Sequence, residues 1–100
     1  MLHTVNKSPF ERNALESCLR LAKKGSAIIL FEDGVYGAMA GTAKSDMVAS
    51  RTGDYEFYVL GPDLAARGIA EDQIIGGVKV VDYGGFVDLA ADKGTVQSWL

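Results

Sequence analysis

Four short apolar runs punctuate the chain: MLHTV (Met1–Val5), AIILF (Ala27–Phe31), EFYVL (Glu56–Leu60) and VKVVDY (Val78–Tyr83). AIILF is apolar at every position, the pattern of a strand buried on both faces of a parallel sheet. Stretches with helical spacing separate the runs, so the order reads strand then helix four times over. That alternation predicts an α/β layered fold with a mainly parallel sheet. The tail TVQSWL, ending at Leu100, supplies a candidate fifth strand at a sheet edge.

Helix boundaries follow from capping chemistry. Ser8-Pro9-Phe10-Glu11 fits a capping box, with Ser8 as N-cap, Pro9 at the first helical position and Glu11 at the third. Lys23, Lys24 and Gly25 form a stop in which cations meet the negative end of the helix dipole. The first helix is therefore expected from about Pro9 to Lys24. A second helical region starts at Asp33 or Gly34, with Asp33 the natural N-cap, and breaks within GTAKSD before MVAS. A third begins at Pro62-Asp63-Leu64 and stops at Gly68, and a fourth covers about Phe86 to Lys93, ending at Gly94.

The only cysteine, Cys18, lies in the first helix. With Ala14 at zero on a helical wheel, Cys18 falls near ~40°, Leu15 near ~100°, Leu19 near ~140° and Leu21 near ~340°. Arg12, Glu16, Arg20, Lys23 and Lys24 occupy the opposite arc. Cys18 thus points into the apolar face, where a free cysteine acts as a small hydrophobe with a sluggish thiol. It also stands too far from the helix N-terminus for the dipole to activate it.

Composition narrows the functional classes. One hundred residues suffice for one domain, residues 1–100, with a modest core. A net charge of −3 argues against a nucleic-acid footprint, which needs a basic patch. A single cysteine excludes an internal disulfide and suits a reducing cytoplasm. The opening residues lack a signal-peptide pattern, and no apolar run approaches the ~20 residues of a membrane helix.

Other constellations carry little chemistry. Glu32 and Asp33 end the second strand, where α/β folds place sites, but no His or further carboxylate accompanies them as metal ligands. GVYGAMAG contains Gly34, Gly37 and Gly41 without matching a dinucleotide fingerprint or a P-loop, so no cofactor is expected. Gly37 and Gly41 are expected to permit close packing. A receiver domain is disfavoured, since Asn6 and Lys7 follow strand one where carboxylates would be needed. His3, the only histidine, lies inside the first strand and is expected to be packed and hydrogen-bonded. FVDLAA and VQSWL leave apolar surface for partners, with Phe86 and Trp99 as anchors.

Taken in order, LHTVNKSPFE, LESCL, LFEDGVYGAMAG, YVLGPDLAARGI, VVDYGGFVDL and VQSWL resemble the DsrH/TusB family of sulfur-relay subunits along nearly the whole chain. The resemblance implies a small three-layer DsrE-like α/β fold, with four or five strands flanked by helices. It implies a cytoplasmic heterohexamer with DsrE/TusD-like and DsrF/TusC-like sister subunits and a DsrC/TusE-like sulfur acceptor downstream. No direct nucleic-acid or membrane contact is implied. The chemistry would be persulfide transfer between cysteines, the principal carrier lying on another subunit. ESCL resembles the DsrH branch, which makes Cys18 a candidate accessory sulfur acceptor in a DsrEFH-type complex of dissimilatory sulfur oxidation. The alternatives are a TusB-like subunit for 2-thiolation of the tRNA wobble uridine and, in another class, a small ligand-binding or regulatory module using Glu32 and Asp33.

Overall fold

In the computed structural model, which describes residues 1–100, five strands form one parallel sheet. The strands are β1 (Leu2–Val5), β2 (Ala27–Leu30), β3 (Glu56–Leu60), β4 (Lys79–Val81) and β5 (Val96–Trp99). Between them lie α1 (Ala14–Leu21), a 3₁₀ segment (Glu32–Ala38), α2 (Ser45–Ala49), α3 (Gly61–Ala66), a short 3₁₀ turn (Glu71–Gln73) and α4 (Tyr83–Lys93). The spatial order is β4-β3-β2-β1-β5. Leu2 pairs with Ala27 on one side and with Val96 on the other. The tail is thus a genuine edge strand beside β1.

This order decides how the helices are distributed. From β1 to β4 the chain steps one way across the sheet, and right-handed crossovers put every connection on the same face. The return from β4 to β5 crosses the whole sheet backwards, so the same handedness sends α4 to the other face. The two cores reflect that asymmetry. On the first face Val5, Ile28, Leu30, Phe57 and Val59 meet Leu15, Cys18, Val35, Val48 and Leu64 in a cluster of 16 buried residues. On the second, the buried apolar cluster has only three members, Leu2, Ala27 and Ile29, under Phe86, Leu89 and Ala90 of α4. One helix is about 10 Å wide, whereas five strands span roughly 19 Å between the outer axes. The second face is therefore only partly covered, and Val96 on its margin is exposed.

Several element boundaries move. Ser8 does not start the first helix: its Oγ accepts from the Phe10 N–H (3.2 Å) and its carbonyl from Glu11 and Arg12, closing a turn. Helix α1 begins only at Ala14 and ends at Leu21, because Tyr55 Oη donates to the carbonyls of Leu19 (3.3 Å) and Ala22 (2.9 Å). Lys23 and Lys24 lie beyond the helix. The region after β2 is a 3₁₀ segment rather than an α-helix, and Asp33 does not cap it. Helix α4 starts three residues early, with Asp82 Oδ1 accepting from the Gly85 N–H (2.7 Å).

The two glycines expected to pack closely divide. A Cβ on Gly37 would stand 2.8 Å from Leu15 Cδ2, so this glycine does admit α1. Gly41 faces open space but has φ +76°, so it serves conformation, not packing. Gly37→Ala should therefore cost about 1–3 kcal/mol through overpacking, and Gly37→Asn more. Gly41→Ala should cost about 1–2 kcal/mol through backbone strain and be largely rescued by Gly41→Asn, which tolerates that conformation. Urea midpoints of the four variants separate the mechanisms, and rescue by asparagine at both positions would refute the distinction.

Candidate functional site

Cys18 lies in the middle of α1 and is 0% exposed, packed in the main core as its wheel position predicts. It is a free thiol. Loss of solvation pushes its pKa from 9.0 up to about 12. The thiolate is the species that attacks a sulfane sulfur, so the closed fold holds Cys18 in its unreactive form. Sulfur chemistry at this position requires α1 to open.

The carboxyl ends of β1, β2 and β3 bring together Asn6, Glu32, Asp33, Asp63 and Arg67. Asn6 Nδ2 donates to Glu32 Oε1 (3.3 Å), and Asp63 Oδ2 accepts from the Glu32 N–H. Two guanidinium nitrogens of Arg67 converge on Asp33 Oδ1, at 3.0 and 2.9 Å. Arg67 also donates to the Asp63 carbonyl (3.1 Å), and its contacts with Asp33 tie α3 to the segment after β2. Glu32 sits at φ +48°, a conformation that side chains rarely adopt and that the surrounding bonds hold. Glu32 and Asp33, the acids of the alternative ligand-binding reading, are thus engaged in fastening three strand ends. Asn6 and Arg67 were not distinguishable in the sequence, since their partners lie 26 and 34 residues away.

His3 is 3% exposed and hydrogen-bonded, in keeping with its strand position. Trp99 Nε1–H donates to His3 Nδ1 at 3.0 Å, bridging the first and last strands. Burial, then the positive charge of the α-amino group, lowers the His3 pKa. The imidazole is thus held neutral, with its proton on Nε2, because indole can only donate. Trp99 was expected as a partner anchor, but its polar edge is spent inside the chain. Phe86 likewise packs inward, edge-on to Phe31 at 5.5 Å. The residues left exposed are Tyr83 (61%) and Val87 (66%) on α4, with Val96 and Leu100.

The five-stranded parallel sheet, with helices on both faces, is a DsrE-like α/β fold. The ychN protein of E. coli superposes with a TM-score of 0.84 at 18% identity, covering 98% of this chain and 97% of that one. The MTH1491 protein of Methanobacterium thermoautotrophicum gives a TM-score of 0.73 at 19% identity, over 97% and 96% of the two chains. At the level of sequence, the family model described as DsrH like protein matches residues 7–96. Protein TusB of Pectobacterium parmentieri is 38% identical over 100 residues, covering 99% of this chain and all of the relative. Protein TusB of Escherichia coli K12 is 32% identical over 99 residues, with the same coverage. The chain belongs to the DsrH/TusB family. No helix is long and apolar enough to cross a membrane.

Proposed function

We propose that this chain is the TusB-type subunit of a sulfur relay that serves 2-thiolation of the tRNA wobble uridine. The observation that carries the reading is its end-to-end similarity to TusB proteins, at 38% identity for the Pectobacterium relative. A DsrEFH-type relay of sulfur oxidation, the branch that ESCL resembles, is the alternative, and the TusB relatives favour the tRNA-thiolation reading over it. In the relay a thiolate attacks the outer sulfur of a protein persulfide, the new S–S bond forms, and the donor cysteine leaves as thiolate. The principal carrier cysteine lies on the TusD-type sister subunit, and a TusE-type protein accepts the sulfur downstream. This chain completes the assembly, offering Tyr83 and Val87 of α4 and the margin of β5. Cys18 takes sulfur only in an accessory role, when α1 lifts within the complex.

Co-expression with TusC- and TusD-type subunits, followed by light scattering, should give a complex containing two copies of each chain. Tyr83→Asp combined with Val87→Asp should abolish co-elution while leaving the circular dichroism of this chain intact, since both side chains are exposed. Deleting the gene should lower 2-thiouridine at the tRNA wobble position. A chain that never joins the sister subunits, or a deletion that leaves 2-thiouridine at its normal level, would overturn the reading.

A further inference from the structure

Beside β5, on the face that α1 covers, the layer of helices stops short of the sheet edge. α1 ends at Leu21, where Tyr55 draws off its last carbonyls, and nothing packs over the outer strand beyond it. The gap is a cleft of about 390 Å³, within the size range of small-ligand sites. Leu21, 66% exposed, stands at one wall, and Trp99 forms the other. Neither Cys18 nor the acidic network at the carboxyl ends of the strands lines it.

The polar side chains lining this cleft are His3, Lys23, Ser26 and Gln97, all able to donate and none a carboxylate. His3 spends Nδ1 on Trp99, and Nε2 has no protein partner. Asn6 Oδ1 is the one side-chain polar atom both sealed and unpartnered, so His3 Nε2 is not sealed: it opens on the cleft that His3 lines. A 97%-buried imidazole therefore presents one fixed N–H outward. Ser26, nearly buried, also lines the cleft, and its hydroxyl has no partner within the chain. Lys23 adds a cation which, unlike Lys24, Arg67 and Lys93, has no carboxylate beside it. No Asp or Glu lines the walls.

We propose that this cleft binds an apolar carboxylate, with His3 Nε2–H, the Ser26 hydroxyl and the Lys23 ammonium on the anion and Leu21 and Trp99 on its hydrocarbon. Lys23 and the α-amino group of Met1, which also lines the cleft, supply positive charge beside neutral donors, and the apolar Leu21 and Trp99 favour an anion that carries a hydrocarbon group over inorganic phosphate. The Trp99 bond fixes the tautomer, so the donor is preorganised rather than recruited on binding. A free acid and a protein C-terminus ending in an aliphatic residue share this chemistry. The site stands independently of the sulfur-relay reading.

Trp99 is the only tryptophan, so its fluorescence and its indole N–H resonance report on the cleft directly. Titration of the full chain with N-acetyl-L-leucine should give a saturable change. N-acetyl-L-leucinamide should bind at least about tenfold more weakly, having lost the charge-assisted bonds. Inorganic phosphate should give no response. Lys23→Glu, an exposed change that leaves the fold intact, should weaken the acid by about tenfold or more and leave the amide unaffected. His3→Phe should weaken the acid and narrow the discrimination between acid and amide. A short peptide ending in a free Leu that binds more tightly than N-acetyl-L-leucine identifies a protein C-terminus as the ligand, and equal binding identifies a free acid. The proposal fails if the acid gives no saturable change, if acid and amide bind alike, or if Lys23→Glu binds the acid like the unmodified chain.

Discussion

Gly34→Ala is expected to be the most damaging small substitution in this chain. A Cβ at position 34 would stand 2.2 Å from the Val5 carbonyl oxygen and 3.0 Å from its carbon. Neither atom can yield. Val5 ends β1, is fully buried, and its carbonyl already accepts the Phe31 N–H at 3.1 Å. Relief would have to separate β1 from the start of the 3₁₀ segment and break the strand-end fastening by Asn6, Glu32 and Asp63. Overpacking against a mobile side chain costs about 1–3 kcal/mol, and a clash with fixed backbone belongs at or beyond the top of that range. A chain of this size is stable by roughly 5–15 kcal/mol, so Gly34→Ala should remove a large share of it. The urea midpoint measures the loss. Gly53→Ala, which meets nothing within 4 Å, is the control and should lie within about 0.5 kcal/mol of the parent. A Gly34→Ala midpoint equal to that of the control would show that the segment does not approach Val5 in this way.

Alkylation of Cys18 is expected to be almost completely suppressed in the folded chain. A pKa raised from 9.0 to about 12 leaves roughly a thousandth of the normal thiolate near neutral pH. Burial adds a steric barrier. Iodoacetamide should therefore modify the native protein at least about a thousandfold more slowly than the same chain in denaturant, with the residual rate set by local opening of α1. Rates within about tenfold of each other would place the thiol at the surface and restore it as a ready sulfur carrier. Intact mass should show no persulfide, about 32 Da, on the isolated chain treated with a loaded donor, and any such addition should need the sister subunits. The same shift predicts a pH effect. Above pH 9.0 the unfolded thiol ionises while the buried one does not, so stability falls with rising pH until the folded thiol also titrates, near 12. Cys18→Ala should lack this part of the decline. Cys18→Ser should instead cost about 1–3 kcal/mol at neutral pH, by burying a hydroxyl in a place built for sulfur.

What the sequence determined by itself was whatever local chemistry encodes. The four apolar runs became strands where expected, because short clusters of apolar, β-branched and aromatic residues bounded by Gly and polar turns leave few other solutions. The wheel placed Cys18 on the buried face of α1, since the helical period is fixed by the backbone. End signals were less dependable. Ser8 does make a turn, but the helix waits until Ala14, and Gly84-Gly85 concealed a start that Asp82 caps.

The tertiary structure decided everything that joins distant positions. Parallel pairing of β5 with β1 brings Trp99 onto His3 across 96 residues and opens the cleft beside Leu21. No local pattern carries that contact. Crossover handedness sent α4 alone to one face, leaving Tyr83 and Val87 outward while Phe86 turned in. The role of Glu32 and Asp33 changed for the same reason: their partners arrive from β1 and α3. Local propensity fixes which segments are strands and which face of a helix is apolar. Strand order alone, set by long-range packing, decides which side chains meet, and in this chain the candidate sites lie at those meetings.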